Sequence, residues 1–359
     1  MTTPTTPDAI TTDWLEASLP ADVLGGGKIS SMTIDNIGEG TGIFGEIVRL
    51  NLAIEGGNTD SFSIVAKMPC VEPANLEVAL MLGIYEREMN MFDFVLDQSP
   101  MRGPRRYVAE RGDNGTFILL LEDLAHEFDV GDQIIGADLS QAESIIDTLA
   151  AFHAHWWESP KLDDLDWLPR QDAPQYQAAV PGIYRAGLPV LVGDWGDRVS
   201  ADAIALAQAL EPKFEEVLLR LANGPETLIH TDTRLDNILF AKDGSGGVAF
   251  IDFQLALRGR GVADIAYLLS NSVPTEIASA NWESLLARWH DSISAAGVTG
   301  YSLDDARIHY REAVLFYLSG PMSLIGSFDS GNERGAAMTE AWVTRAFTHA
   351  VEIDAGQVL

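Results

Sequence analysis

The hydrophobic period of this chain changes once, near Asp123, and the change limits what the chain can fold into. Before it, the runs SMTIDNIG (31–38), FGEIVRLNLAI (44–54), SFSIVAKM (61–68), RRYVAER (105–111) and TFILLLE (116–122) read as strands. Turn residues at Gly56-Gly57-Asn58 and Asp113-Asn114-Gly115 join them, the pattern of antiparallel hairpins. One helix interrupts them from Pro73 to Leu96, with Leu76, Leu80, Ile84 and Met91 at helical spacing and Gly83 as its weak point. After Asp123 the period is helical. One helix is expected to open at Ser140, with Glu143 completing a capping box and Ile145, Leu149, Phe152 and Trp156 lining one face. Further helices are expected near 200–222, 262–271 and 276–295 and from 303 onward, while residues 225–258 return to short apolar runs. The fold class expected is α+β with two lobes: a strand-rich lobe over 1–123 with one main helix, and a larger, mostly helical lobe over 124–359 holding a small hairpin. A length of 359 residues agrees with two lobes.

Charge narrows the partners. Against 23 Lys and Arg stand 53 Asp and Glu, a net charge of -30 that repels polyanions, so neither nucleic acid nor an anionic membrane is an expected partner. A phosphate ligand would need a local cationic or metal-bearing pocket. The one cysteine, Cys70, excludes an intrachain disulfide and a Cys-rich zinc site, which fits a reducing cytoplasm. The segment MTTPTTPDAITTDW has neither the basic nor the apolar region of a signal peptide. The apolar stretch from Val314 to Gly326 is short and interrupted by Ser319, Gly320 and Pro321, so no membrane span is expected.

The chemistry concentrates in two motifs. His230-Thr-Asp232-Thr-Arg-Leu-Asp-Asn237 has the form HxDxxxxN, and Ile251-Asp252-Phe253-Gln254 follows across an expected hairpin. Phosphoryl transfer requires a carboxylate to receive and orient the attacking hydroxyl, and oxygen ligands to hold Mg²⁺ on nucleotide phosphates. Asp232 suits the first need, Asn237 and Asp252 the second. Turn and cap roles would explain the same residue types one at a time. Two motifs in this order are a stronger signal.

These motifs resemble the phosphotransferase family of aminoglycoside phosphotransferases, choline kinases and ecdysteroid-kinase-like proteins, which share the protein-kinase fold. The resemblance implies a small-molecule kinase that uses ATP, or GTP as the alternative donor, with Mg²⁺ as cofactor. Asp232 would be the base, Asn237 and Asp252 the metal ligands, and His230 a structural residue. It further implies that Lys67, ending the run SFSIVAK, holds the α- and β-phosphates with a helix glutamate as its partner. Glu88 is preferred over Glu86 for that place. Gly40-Thr-Gly42-Ile-Phe-Gly45 is a literal GxGxxG, but the strand-like continuation EIVRLNLAI favours a hairpin over phosphates, with Gly40 and Gly42 as contacts, over a dinucleotide fold. A plain glycine turn remains open. Glu122, in LLLEDL, looks like the hinge whose backbone meets adenine, or a buried strand end. Asp264 in GVADIAY matches an aspartate that braces the catalytic loop. His153 and His155, two residues apart on a helix, face different sides and are expected in packing, not on a metal.

Two residues depart from the family pattern: Gln254 follows Asp-Phe where protein kinases have glycine, and Thr231 stands where aminoglycoside-type enzymes usually carry glycine. The absence of an Ala-Pro-Glu segment favours a small hydroxylated acceptor over a protein. Three rivals stay open here: an inactive nucleotide-binding scaffold, a metal-dependent hydrolase, and an NAD-binding oxidoreductase.

Overall fold

Strand β1 (Lys28–Asn36), β2 (Gly45–Glu55), β3 (Ser61–Pro69), β4 (Arg106–Arg111) and β5 (Phe117–Glu122) form an antiparallel sheet in the order β1-β2-β3-β5-β4, in a computed structural model. It describes residues 3–37, 44–112, 115–327 and 333–359. Gly40, Gly42 and the turn at Asp113-Asn114 lie outside these.

Contacts divide the chain into two compact units, one of residues 1–97 and 103–128, the other of 98–102 and 129–359. In the first, alternation decides which sheet face is buried. Val48, Leu50 and Leu52 of β2 point into a core with Ile64, Ala66 and Met68 of β3 and Ile118 and Leu120 of β5. The register pairs Leu50 with Ile64 and Lys67 with Leu119. Helix α1 (Thr12–Ser18), capped by the Thr11 hydroxyl accepting from Trp14 N–H, adds Trp14 and Leu15. Each fully buried side chain of this size contributes about 2 kcal/mol.

The expected helix at 73–96 is two helices, α2 (Pro73–Leu82) and α3 (Ile84–Phe94). Gly83 adopts φ 64° between them, a left-handed conformation that ends α2. The break also rotates the faces: Ile84 and Met91 are buried, whereas Leu80 is exposed. Beside α3, the buried Cys70 donates its backbone N–H to the Tyr85 hydroxyl, and its Sγ lies 3.2 Å from that oxygen.

After the short strand β6 (Phe128–Val130), helix α4 (Leu139–Trp156) begins one residue earlier than expected. Its capping box is Asp138 with Gln141, not Ser140 with Glu143, because the Asp138 carboxylate reaches the Gln141 N–H at 2.8 Å. The expected stripe of Ile145, Leu149, Phe152 and Trp156 is fully buried. Helix α5 (Pro174–Gly193) was not expected, since Pro181 and Pro189 lie inside it. There follow α6 (Ala201–Leu210), α7 (Phe214–Leu221), strand β7 (Thr227–Ile229), the hairpin of β8 (Ile238–Ala241) and β9 (Val248–Phe250), and β10 (Leu257–Gly259), which pairs antiparallel with β7. Helices α8 (Val262–Tyr267), α9 (Thr275–Ala295), α10 (Leu303–Tyr317), α11 (Ser319–Ser327) and α12 (Glu333–Glu352) complete the unit. No helix among the described residues is long and apolar enough to cross a membrane.

Candidate active site

Two short ladders fix the spacing of the second unit's motifs. The β8–β9 register sets Ile238 against Phe250, and Ile251 N–H donates to the Asn237 carbonyl at 3.0 Å. Asn237 and Asp252 therefore flank the mouth of one hairpin, although fifteen positions separate them in sequence. A single 3-10 turn, Leu235–Asn237, leads from the Asp232 loop into β8.

Asp232 is held from several sides. Its Oδ1 accepts from the Tyr267 hydroxyl at 2.8 Å, and its Oδ2 from the Asn237 side-chain amide at 2.9 Å. Arg234 Nε stands 3.5 Å from the same Oδ2. About 14% of the Asp232 side chain stays exposed, so the carboxylate is aimed yet reachable. Burial alone would favour loss of Arg234's proton, but the charges of Asp232 and Asp252 outweigh it and hold the guanidinium's pKa above its ordinary value. Burial, then the Asp232 charge, pushes the Tyr267 phenol well above its usual range, so it remains a donor. Arg234 thus offsets two neighbouring carboxylates that would otherwise repel each other.

The backbone of the loop is unusual at both motifs. Thr231 (φ 68°) and Asp252 (φ 65°) are in the left-handed region, which costs a non-glycine residue about 1–2 kcal/mol. Asp264 compensates at the first. Its fully buried carboxylate accepts from the N–H groups of His230 and Thr231, both at 2.7 Å, and from His153 Nε2 at 3.1 Å. His153 Nδ1 accepts from Trp289 Nε1–H at 3.0 Å, which places the ring proton on Nε2. The two histidines face different sides as expected, but only His153 is packed in the core, in this network; His155 is exposed. Gly261 allows the approach, since a Cβ there would stand 2.9 Å from the His153 ring. His230 Nε2 donates to the Ile251 carbonyl at 3.1 Å and its Nδ1 accepts from Asp232 N–H at 3.3 Å, so this ring links the two motifs.

In the first unit, Lys67 Nζ lies 2.7 Å from Glu88 Oε2 and 2.9 Å from Oε1. Both are buried, at 5% and 1% exposure, whereas Glu86 is exposed and outside this pair. A lysine on a strand and a glutamate one helix later form the buried pair that keeps the ammonium charged and aimed. Glu122 ends β5, with its N–H donating to the Arg105 carbonyl and its carboxylate accepting from Arg105 N–H, both at 2.8 Å.

Among the described residues no cluster of three or more His, Cys, Asp or Glu is arranged to hold a metal. The donor set nonetheless fits Mg²⁺, which takes one or two protein oxygens and completes its shell with phosphates and water. Asn237 spends its amide nitrogen on Asp232, so its oxygen is the end that could meet a cation beside Asp252.

Sequence reasoning passed over three contributors. Tyr267 lies three residues after Asp264 on one helix, a spacing that puts both on one face and could have drawn notice. Arg234 was visible within the motif. Gln133 gave no signal: buried, it accepts from Leu235 N–H at 2.7 Å and donates to the Asn271 carbonyl at 2.8 Å, tying the loop to the segment after α8.

The sequence profile of the phosphotransferase enzyme family matches residues 85–299. No curated protein matches the sequence. Among solved structures, choline kinase from Cryptosporidium parvum Iowa II is similar over 97% of this chain and 95% of its own, at 11% identity and a TM-score of 0.57. The GDP and kanamycin complex of APH(2")-IIIa is similar over 95% of this chain and 98% of its own, at 13% identity and a TM-score of 0.55. At such identities the likeness speaks to the fold, which is the protein-kinase-like one expected from the sequence.

Proposed function

Because the chain belongs to the phosphotransferase enzyme family, we propose that it transfers the γ-phosphate of ATP to a hydroxyl of a small molecule, with Asp232 as the base. The observation that carries this reading is the aimed carboxylate: two donors fix both oxygens of Asp232 while part of the side chain stays exposed. Each carboxylate oxygen keeps a lone pair that can receive the acceptor's O–H. In a loose phosphoryl transfer the nucleophile needs orientation more than activation. The acceptor oxygen forms a bond to the γ-phosphorus as the bond to the β-bridging oxygen breaks, ADP departs, and the acceptor's proton passes to Asp232. Asp252 and the Asn237 oxygen would hold Mg²⁺, which when bound offsets the charge of the phosphates. Lys67, aimed by Glu88, would grip the α- and β-phosphates, and the strand end at Glu122 would meet the base. The GDP bound to a similar structure keeps GTP beside ATP in the test.

Calorimetric titration with ATP and with GTP, with and without Mg²⁺, tests the reading, with NAD as control. The wild type should bind one nucleotide in a Mg²⁺-dependent way. Asp232→Asn should keep that affinity and lose transfer by about a thousandfold or more, whereas Asp252→Asn should lose the Mg²⁺-dependent part of binding. Full transfer activity in either variant, or no nucleotide binding by folded wild type, would sink it.

A further inference from the structure

Helix α12 reaches the catalytic loop through a buried cation. Arg345 is 9% exposed, and burial holds its guanidinium below its ordinary value against the charges of Glu276 and Asp132. Among the described residues its hydrogen bonds go to three consecutive backbone carbonyls: that of Gln133, 2.7 Å from Nη1, and those of Ile134 and Ile135, 2.6 and 3.1 Å from Nη2. A buried cation needs partners of this kind, and here they shape the loop that leads into α4. Gly136 permits the approach: it adopts φ 83°, and a Cβ there would stand 3.0 Å from Arg345 Nη2 and 2.8 Å from Pro274 Cδ. The loop meets the motif through Gln133, which is 1% exposed. Its side-chain oxygen accepts from Leu235 N–H at 2.7 Å, its amide donates to the Asn271 carbonyl at 2.8 Å, and its backbone N–H donates to Asp236 Oδ1 at 3.3 Å. Leu235 opens the 3-10 turn Leu235–Asn237 between Asp232 and Asn237, so its N–H has no acceptor within that turn and Gln133 supplies one. Arg334, eleven residues before Arg345 and so on the same face of α12, lies 3.5 Å from Asp132 and 3.3 Å from Asp236.

We propose that Arg345 and Gln133 are positioning residues for the catalytic loop: Arg345 sets the shape of residues 133–135, and Gln133 transmits it to the turn that spaces Asp232 from Asn237. For what that spacing does, the proposal rests on the phosphotransferase reading above. Asn237 is bonded to Asp232 through its side-chain amide, so a shift of the turn moves the base and the oxygen offered to Mg²⁺ together. Gln133 thereby acts behind a metal ligand, where an outer partner fixes the direction in which the ligand points. The nature of the clamp makes the relay separable from ordinary stabilisation. Because the partners of Arg345 are carbonyls, Arg345→Met leaves no unpaired carboxylate behind, and the loss falls on the shape of the loop.

The test uses the full chain with Gln133→Met, Arg345→Met and the double variant. Without ligand, the Leu235 amide should exchange its hydrogen about tenfold faster in each single variant than in wild type. Calorimetry with ATP should show the Mg²⁺-dependent gain in affinity cut about ten- to hundredfold in each, while Mg²⁺-free ATP binding stays within about twofold. The double variant should match the worse single one in both readouts, because both changes break one relay. Arg345→Lys keeps the charge without the planar fork; it should fall between wild type and Arg345→Met, and it takes that variant's place if Arg345→Met does not fold. A role in stability alone would lower the urea midpoint and leave both readouts unmoved. That outcome, an unchanged Leu235 exchange rate in a folded Arg345 variant, or additive losses in the double variant would overturn this proposal alone. Failure of wild type to bind Mg·ATP would overturn the phosphotransferase reading and the metal half of this proposal with it, while the exchange rates still decide whether the relay exists.

Discussion

At Thr231 a side chain occupies a place that backbone geometry would assign to glycine. Its φ of 68° is offset by two bonds, the N–H to Asp264 and the hydroxyl to the Leu255 carbonyl, both at 2.7 Å. Thr231→Gly should relieve the strain and lose one hydrogen bond, leaving stability within about 1 kcal/mol of wild type. Thr231→Ala keeps the strain and loses the bond, so its unfolding free energy from urea titration should fall below that of the glycine variant by about 1 kcal/mol; the reverse order would refute the account. The departure from the family pattern was legible in the sequence, but its physical compensation was not. The two partners of Thr231 lie 24 and 33 positions away, and no local pattern reports them. Asp232, Asn237 and Asp252, by contrast, stood out in the sequence because the chemistry proposed for them requires those residue types, and the side-chain bond from Asn237 to Asp232 and the hairpin between Asn237 and Asp252 bring them together. Gln133 ties the loop only through partners distant in sequence.

Among the elements, the strands of the first unit followed their alternation closely, because a sheet with one buried face imposes a period of two. The helices were less readable where backbone punctuation prevailed over hydrophobic spacing. Gly83 divides the 73–96 segment, and a spacing argument that ran through it assigned Leu80 to the wrong face. Nothing lies within 4 Å of a Cβ built at Gly83, so substitution there probes the backbone alone. Gly83→Ala should destabilise the first unit by about 1 kcal/mol in urea unfolding, and Gly83→Asn by less, since Asn tolerates a positive φ. Equal losses for both would point away from the left-handed cap. Helix α5 was unreadable for the converse reason: its two prolines are breakers by rule and are accommodated here.

On the scale of the whole molecule, acid should weaken the protein through a buried histidine as well as through its carboxylates. Burial pushes the His349 imidazole down to about 3, with Tyr310 and Ser279 oxygens against its ring nitrogens. Unfolded, the same ring titrates near 6.5, so between about pH 6.5 and 3 the unfolded chain binds a proton that the folded one refuses. Stability therefore falls as pH falls through that window, by about 2 kcal/mol from this group between pH 6.5 and 5, and does not depend on it above. Protonation of surface carboxylates relieves the charge of -30 at the same time, so the comparison must be with His349→Gln, which should lose stability at neutral pH but decline less steeply in acid. Parallel pH profiles would exclude the mechanism. The change of period was legible at Asp123, while contacts place residues 98–102 in the second unit and 124–128 in the first; buried ionisable groups such as this one were not legible. The single cysteine adds something practical. Cys70 is buried beside Tyr85 in the first unit, and the second unit carries no thiol at all. A thiol-reactive dye added to the native protein is therefore a clock for the opening of the first unit alone, and it needs no mutation to read it.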